Sequence, residues 1–242
     1  MNIEFISVCH NFQRRMSWFL SSLVQQTYLP DVTINLAYVN TGASPNTNLI
    51  ISRYERKGIK FREMIFNSID DIAYRGALRN AQIALSRADW IFFYDVDQVL
   101  APDFIERWIP YLDNNKNCIF YETQKVFTEP DATQEMIEKQ GQETYFENAY
   151  YEVNKLPKLD LSYRKVASGG LMIMRRELIY KVTKGLYSDS YKRKDRHIYK
   201  QRTTSDPVFR SKFDVCGHAL SPVIHLGHNS WQDYKTGRFI QQ

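Results

Sequence analysis

Apolar residues fill the run Ile3 to Val8 and then change period. From Met16 they return at Phe19, Leu20 and Leu23, the spacing of one helix face, and Pro30 closes the segment. Thr33 to Val39 predicts a second strand, ending in the turn-rich Asn40-Thr41-Gly42-Ala43-Ser44-Pro45. A helix through Tyr54 and a strand over Lys60 to Ile65 follow. Next, Ala77, Leu78, Ala81, Ala84, Leu85 and Ala88 share one side of an amphipathic helix. Trp90 to Tyr94 is short and almost wholly apolar, as a central strand covered on both faces must be. Beyond Pro102, the residues Phe104, Ile105, Trp108, Ile109 and Leu112 predict a helix, and Cys118 to Val126 a strand. This β-α alternation implies a doubly wound sheet with ligands beyond the carboxyl ends of its strands.

After that the pattern changes. Glu129 to Asp160 is acidic, rich in Tyr and Gln and weakly periodic, which predicts an insertion lying over the sheet. Gly169 to Met174 restores a buried strand, followed by a helix near Glu177 to Val182. The stretch Lys181 to Arg202 carries Lys184, Lys192, Arg193, Lys194, Arg196 and Lys200 and reads as a basic surface loop, or as a lid over phosphates. A helix around Asp206 to Phe213, a strand near Pro222 to His225 and a polar tail complete the chain. There is no internal repeat and no linker, so residues 1–242 are expected to form a single domain.

Composition narrows the function classes. A hydrophobic fraction of 43% argues for a packed core over a disordered chain. The net charge of +5 favours acidic ligands, but no groove-reading motif accompanies it, so nucleic acid is not an expected partner. Cys9, Cys118 and Cys216 are odd in number and far apart in sequence, which suits neither a disulfide framework nor a thiolate zinc site. No basic leader and no run of membrane-spanning length is seen, so the expectation is a soluble cytoplasmic protein, with peripheral contact at the inner face of a membrane left open by the charge.

The sharpest chemistry stands where the apolar strand ends, in Tyr94-Asp95-Val96-Asp97. Two carboxylates one residue apart can turn into one opening if the chain bends there, and oxygen ligands of this kind suit Mg²⁺ or Mn²⁺ bridging a diphosphate. The plain alternative is a pair of turn acids ahead of the next helix. The surrounding residues favour the metal. Arg75-Gly76-Ala77-Leu78-Arg79-Asn80-Ala81, the strand leading into the DxD motif, and Pro102-Asp103-Phe104 together resemble family 2 glycosyltransferases. Ile6-Ser7-Val8, Arg14 and Leu23-Val24-Gln25-Gln26-Thr27 resemble the family's opening strand, loop and helix end.

The resemblance implies an α/β GT-A fold, a Rossmann-like nucleotide-diphospho-sugar transferase with a mixed sheet flanked by helices. Residues 1–125 would bind the nucleotide sugar, and 126–242 would supply the acceptor site and catalytic base. It implies that Asp97 holds the metal, Mn²⁺ or Mg²⁺, that Asp95 faces the donor's ribose or sugar, and that Arg79 supports the nucleotide side. Asn40 occupies the place of an acid that contacts the base in the family; its amide still offers a donor and an acceptor to a uracil edge, so a UDP-sugar is the expected donor. Gly169 and Gly170 match a glycine pair that admits a sugar close to the backbone, although a tightly packed strand explains them equally. Ser205-Asp206-Pro207-Val208-Phe209 stands where the family writes ED..F, which makes Asp206 the candidate base; alone, the triplet reads as a helix N-cap with Pro in the first turn. In His225-Leu226-Gly227-His228 the chain is similar to chondroitin-polymerase-like relatives, where a late histidine completes the metal site. A spacing of three puts His225 and His228 on opposite sides of an extended chain, so one of them is expected to bind. His10 and His218 are read as structural.

The implied reaction is inverting transfer to the hydroxyl of a glycan or other acceptor. Two alternatives compete with it. A non-catalytic nucleotide-sugar or glycan binder on the same scaffold is kept alive by Asn40 and Ser205. A sugar-1-phosphate nucleotidyltransferase needs a glycine-rich loop after the first strand, where this chain reads Cys9-His10-Asn11-Phe12-Gln13-Arg14-Arg15.

Overall fold

The computed structural model describes residues 1–9, 13–39, 47–68, 72, 75–114, 117–140, 158–160, 170–187 and 205–226. The turn from Asn40 to Pro45, Gly169, His228 and most of the basic stretch, from Lys192 to Arg202, lie outside them.

Strands β1 (Asn2–Cys9), β2 (Asp31–Val39), β3 (Lys60–Phe66) and β4 (Trp90–Tyr94) run parallel. With β6 (Cys118–Glu122), β9 (Leu171–Arg175) and β10 (Asp214–His218) they form a seven-stranded sheet of order β10-β6-β9-β4-β1-β2-β3. Among the described strands of this sheet only β9 runs against its neighbours, so the sheet is mixed rather than wholly parallel. A second sheet, β5-β11-β7-β8, joins β5 (Gln98–Leu100), β11 (Val223–His225), β7 (Gln124–Phe127) and β8 (Lys158–Asp160). The helices are α1 (Gln13–Val24), α2 (Thr47–Glu55), α3 (Arg75–Leu85), α4 (Phe104–Asn114), α5 (Pro130–Gln140), α6 (Arg176–Thr183) and α7 (Ser205–Arg210).

The period-2 geometry of β4 divides the molecule. Trp90, Phe92 and Tyr94 enter one core with Phe5, Phe19 and Trp108, while Ile91 and Phe93 enter a second with Ile83, Ile179 and Phe209. Strands β6 and β9 alternate in the same way, with Phe120 and Ile173 on one side and Ile119 and Met172 on the other. Burying each such side chain contributes about 1.5–3 kcal/mol before entropy is counted, which explains why the strand has no polar face.

Three sequence expectations change. The side of α3 that packs inward is only in part the alanine stripe: Leu78 and Ala88 are buried, but Leu85 is 52% exposed and Ala84 faces solvent, whereas Arg79, Asn80 and Gln82 are buried. Gln82 lies over the β1–β2 seam and its Nε2 donates to the carbonyls of Ser7 (2.9 Å) and Asn35 (2.8 Å). Beside it, Asn35 Nδ2 and Ser86 Oγ donate to the buried Glu4 carboxylate, which also pairs with Arg62. Hydrogen bonding makes this polar face the better buried one, which hydrophobic periodicity does not reveal. Second, Cys118 to Val126 is not one strand but two, broken at Thr123 where the chain passes from one sheet to the other. Third, the acidic stretch after Glu129 holds the regular helix α5, and β5 and β10 arise in segments that carry no apolar signal long enough to see. Cys118 and Cys216, distant in sequence, sit on neighbouring strands as free thiols.

Replacing Gln82 with Ala is expected to cost about 1–3 kcal/mol, because two buried carbonyls lose a donor. A urea titration should show a lower midpoint with an unchanged slope. A loss under about 0.5 kcal/mol would mean that other donors replace the amide.

Candidate functional site

In the strand order, the chain builds outward from β1 to β3 and then restarts at β4 on the other side of β1. The crevice between the carboxyl ends of β1 and β4 is therefore the switch point at which such sheets present ligands. Asp95 and Asp97 follow the last residue of β4 and stand at this place. The Asp95 N–H donates to the carbonyl of Gly170 (2.9 Å), which ties the strand tip to the start of β9. Asp97 lies in the turn into β5 and is only 5% exposed.

The antiparallel pairing of β5 with β11 sets Gln98 opposite His225, and the N–H of Leu226 donates to the Asp97 carbonyl (2.8 Å). His225 Nε2 comes to 3.0 Å from Asp97 Oδ2, with the Phe127 ring edge-on to the imidazole. Burial disfavours the imidazolium, but the charge and hydrogen bond of Asp97 outweigh it, so His225 titrates above its ordinary value. A carboxylate and an imidazole are also a donor set suited to Mn²⁺. By the chemistry of their donor atoms the two residues fit a divalent ion. Among the described residues, no third His, Cys, Asp or Glu joins them in a metal-sized group.

Arg79 organises the other side of the crevice. Its guanidinium stands 3.9 Å from Asp95, lies over the rings of Tyr187 (4.6 Å to the centroid) and Phe93 (5.7 Å), and donates to the Tyr187 hydroxyl. The Tyr187 N–H donates to Asn80 Oδ1, and its ring stacks on Phe209 at 4.2 Å. Phe209 belongs to α7, so this cluster also anchors the helix whose second residue is Asp206. The side chain of Asp206 lies outside the described residues, as do Asn40, Gly169 and His228. Pro207 falls in the first turn of α7, as the sequence leads one to expect.

Four residues near the site escape a reading of motifs. Arg15, on α1, is 1% exposed; burial lowers its pKa to about 10 against the raising effect of Asp97. Tyr187 joins Arg79 to Phe209. Gln98 and Lys125 are buried behind Gly170: a Cβ at position 170 would meet Gln98 Nε2 at 1.7 Å and Lys125 Nζ at 3.1 Å. Thus a close neighbour of Gly170 comes from within the protein. None of the four stands in a recognisable run, and each becomes visible only when distant strands meet. His218 is structural as expected, packed among Trp108, Tyr111 and Phe120, with burial lowering its pKa.

Among the described residues, no helix is long and apolar enough to cross a membrane. No curated protein matches the chain in sequence. Solved structures share its fold at low identity. S. aureus TarS 1-349 in complex with UDP is 12% identical with a TM-score of 0.60, over 94% of this chain and 61% of that one. The same protein in complex with UDP-GlcNAc is 14% identical with a TM-score of 0.59, over 95% and 59%. The mannosyltransferase PcManGT from Pyrobaculum calidifontis, in complex with GDP-Man and Mn²⁺, is 10% identical with a TM-score of 0.57, over 99% and 62%. The chain thus spans about 60% of the length of these structures. The family model for glycosyl transferase family 2 matches residues 5–183, which include the strand tip, both aspartates and the Arg79 helix, and the chain belongs to that family.

Proposed function

We propose that this chain transfers a glycosyl group from a nucleoside-diphosphate sugar, in our reading a UDP-sugar, to an acceptor hydroxyl with inversion, using Mn²⁺ or Mg²⁺. The observation that carries the proposal is the Asp97–His225 pair, 3.0 Å apart beyond the end of β4. Residues 1–125 are read as the donor half and 126–242 as the acceptor half. Asp97 and His225 would hold the ion, with His228 as the alternative imidazole. When bound, the ion supplies positive charge against the charge that builds on the departing nucleoside diphosphate. Arg79, fixed by Tyr187 and Phe93, orients Asp95 toward the donor. Asn40 is the candidate contact to the base, and Gly169-Gly170 the candidate place of closest sugar approach. Asp206 accepts the acceptor's hydroxyl proton; the oxygen bonds to the anomeric carbon as the bond from that carbon to the diphosphate breaks. The net charge of +5 suits an anionic acceptor or a peripheral contact with the inner face of a membrane.

The complexes of TarS with UDP and UDP-GlcNAc, and of PcManGT with GDP-Man and Mn²⁺, support a nucleotide-sugar donor and a divalent ion. A donor screen by calorimetry should therefore include uridine and guanosine sugars, with and without Mn²⁺. Asn40 and Ser205, which replace acids of the family pattern, favour a second reading, a binder that holds the nucleotide sugar without turnover.

Two outcomes test the proposal. Asp97→Ala should abolish Mn²⁺-dependent nucleotide binding, whereas Asp206→Asn should bind normally and lose transfer by about 100-fold or more. Transfer at the unaltered rate by Asp206→Asn would remove it as the base, and binding without turnover across the donor panel would favour the second reading. The pH response supplies a further check. Because His225 titrates above 6.5 in the folded chain, its pairing with Asp97 stabilises the metal-free protein fully below the unfolded value and fades as pH rises through the raised one. The difference in thermal midpoint between the unaltered protein and His225→Ala should accordingly narrow as pH rises above 6.5 and through the raised value. Mn²⁺ affinity should rise over the same range, since the ion must displace the imidazolium proton. A difference that stays flat with pH would show that the pair does not titrate.

A further inference from the structure

His225 rides on a strand of three residues, β11. It pairs with β5 and β7 and buries Val223 and Ile224, and a slip of one residue would turn His225 away from Asp97 to the opposite face. The loop that leads into β11 is held as well.

The hold lies at the place where two segments of the chain cross between the sheets together. One passes from β6 to β7 at Thr123, and the other from β10 to β11 through Leu220 and Ser221. The N–H of Thr123 donates to the carbonyl of His218 (2.9 Å), which joins the two crossings. Glu122, fully buried at the end of β6, completes the joint. Its Oε1 accepts from the N–H of Gln124 (2.9 Å), and its Oε2 accepts from the N–H groups of Leu220 (3.0 Å) and Ser221 (2.9 Å). The far side of the same loop is tied to the start of α4, where Ser221 Oγ donates to Asp103 (2.9 Å) and Arg107 spans Asp103 and the Leu220 carbonyl. Burial pushes the Glu122 carboxyl up to about 7 against the pull of these backbone donors, so holding its charge inside is costly.

We infer that Glu122 is a positioning residue: by clamping Leu220 and Ser221 it fixes the register of β11 and so sets His225 against Asp97. No neutral residue reproduces the clamp, since N–H donors face both carboxylate oxygens. A glutamine would turn its own NH₂ toward one of them. The inference rests on the proposal that Asp97 and His225 bind the ion. It adds that their alignment depends on a carboxylate that touches neither residue.

The test is a titration of Mn²⁺ in the presence of UDP, followed by the electron paramagnetic resonance of free Mn²⁺, on four proteins: unaltered, Glu122→Gln, His225→Ala and the double variant. Glu122→Gln should weaken Mn²⁺ binding by about 10-fold or more, the effect of losing a partner that orients a metal ligand. In the His225→Ala background the same change should weaken it no further, because the residue acts through the imidazole. Equal affinity in Glu122→Gln, or losses that add in the double variant, would overturn the inference. Should Glu122→Gln fail to fold, Glu122→Asp keeps the charge but is one methylene too short to span both loops, and the same two comparisons apply. Unaltered protein that shows no UDP-supported Mn²⁺ binding would overturn the metal reading itself, an outcome distinct from a silent Glu122 variant.

Discussion

A carboxylate withdrawn from water needs a partner, and Asp97 finds one in an imidazole 128 residues further along the chain. That contact fixes more than one side chain. It requires β11 to lie beside β5, which places a strand from the last part of the chain at the tip of the central strand. It also requires the chain to leave the main sheet at two neighbouring points, after β6 and after β10, and to enter the smaller sheet. The second sheet can be understood as the frame that carries His225 to the crevice.

The main sheet supplies the rigidity. Because β4, β6 and β9 are covered on both faces, their backbones cannot move without disturbing two cores at once. Chemistry is thereby confined to the strand ends, where backbone and polar side chains can still face an opening. On the flank of that opening, Arg79, Asn80, Tyr187, Phe93 and Phe209 form one packed group that links α3 to α7. The proposed donor-side arginine and the helix of the proposed base are thus coupled through a single cluster, although they arise more than a hundred residues apart.

Family membership and geometry bear on different questions. Membership gives the class of chemistry. Geometry says which of this chain's own residues stand at the strand tip, and it brings forward Arg15, Gln98 and Lys125, which no motif marks. Gly170 shows the difference well. In the sequence it is half of a glycine pair, whereas in the structure its bare Cα leaves room for the amide of Gln98 and the ammonium of Lys125.

The sequence by itself determined the elements whose signal is local. A strand buried on both faces must be apolar throughout, so Trp90 to Tyr94 was legible to the residue, and the acids following it marked the candidate site. It also carried His225 as a candidate ligand, because the motif around it is compact. Three things were decided only by the tertiary structure: the face of α3 that turns inward, the break at Thr123, and the partners of Glu122 and Tyr187. The physical reason is common to all three. A polar side chain is stable inside when its partner is present, and here the partners are backbone groups and side chains of remote segments: Ser7 and Asn35 for Gln82, Leu220 and Ser221 for Glu122, Arg79 and Asn80 for Tyr187. Hydrophobic periodicity records what each segment avoids, water, but not which hydrogen-bond partner will meet it once the chain has folded.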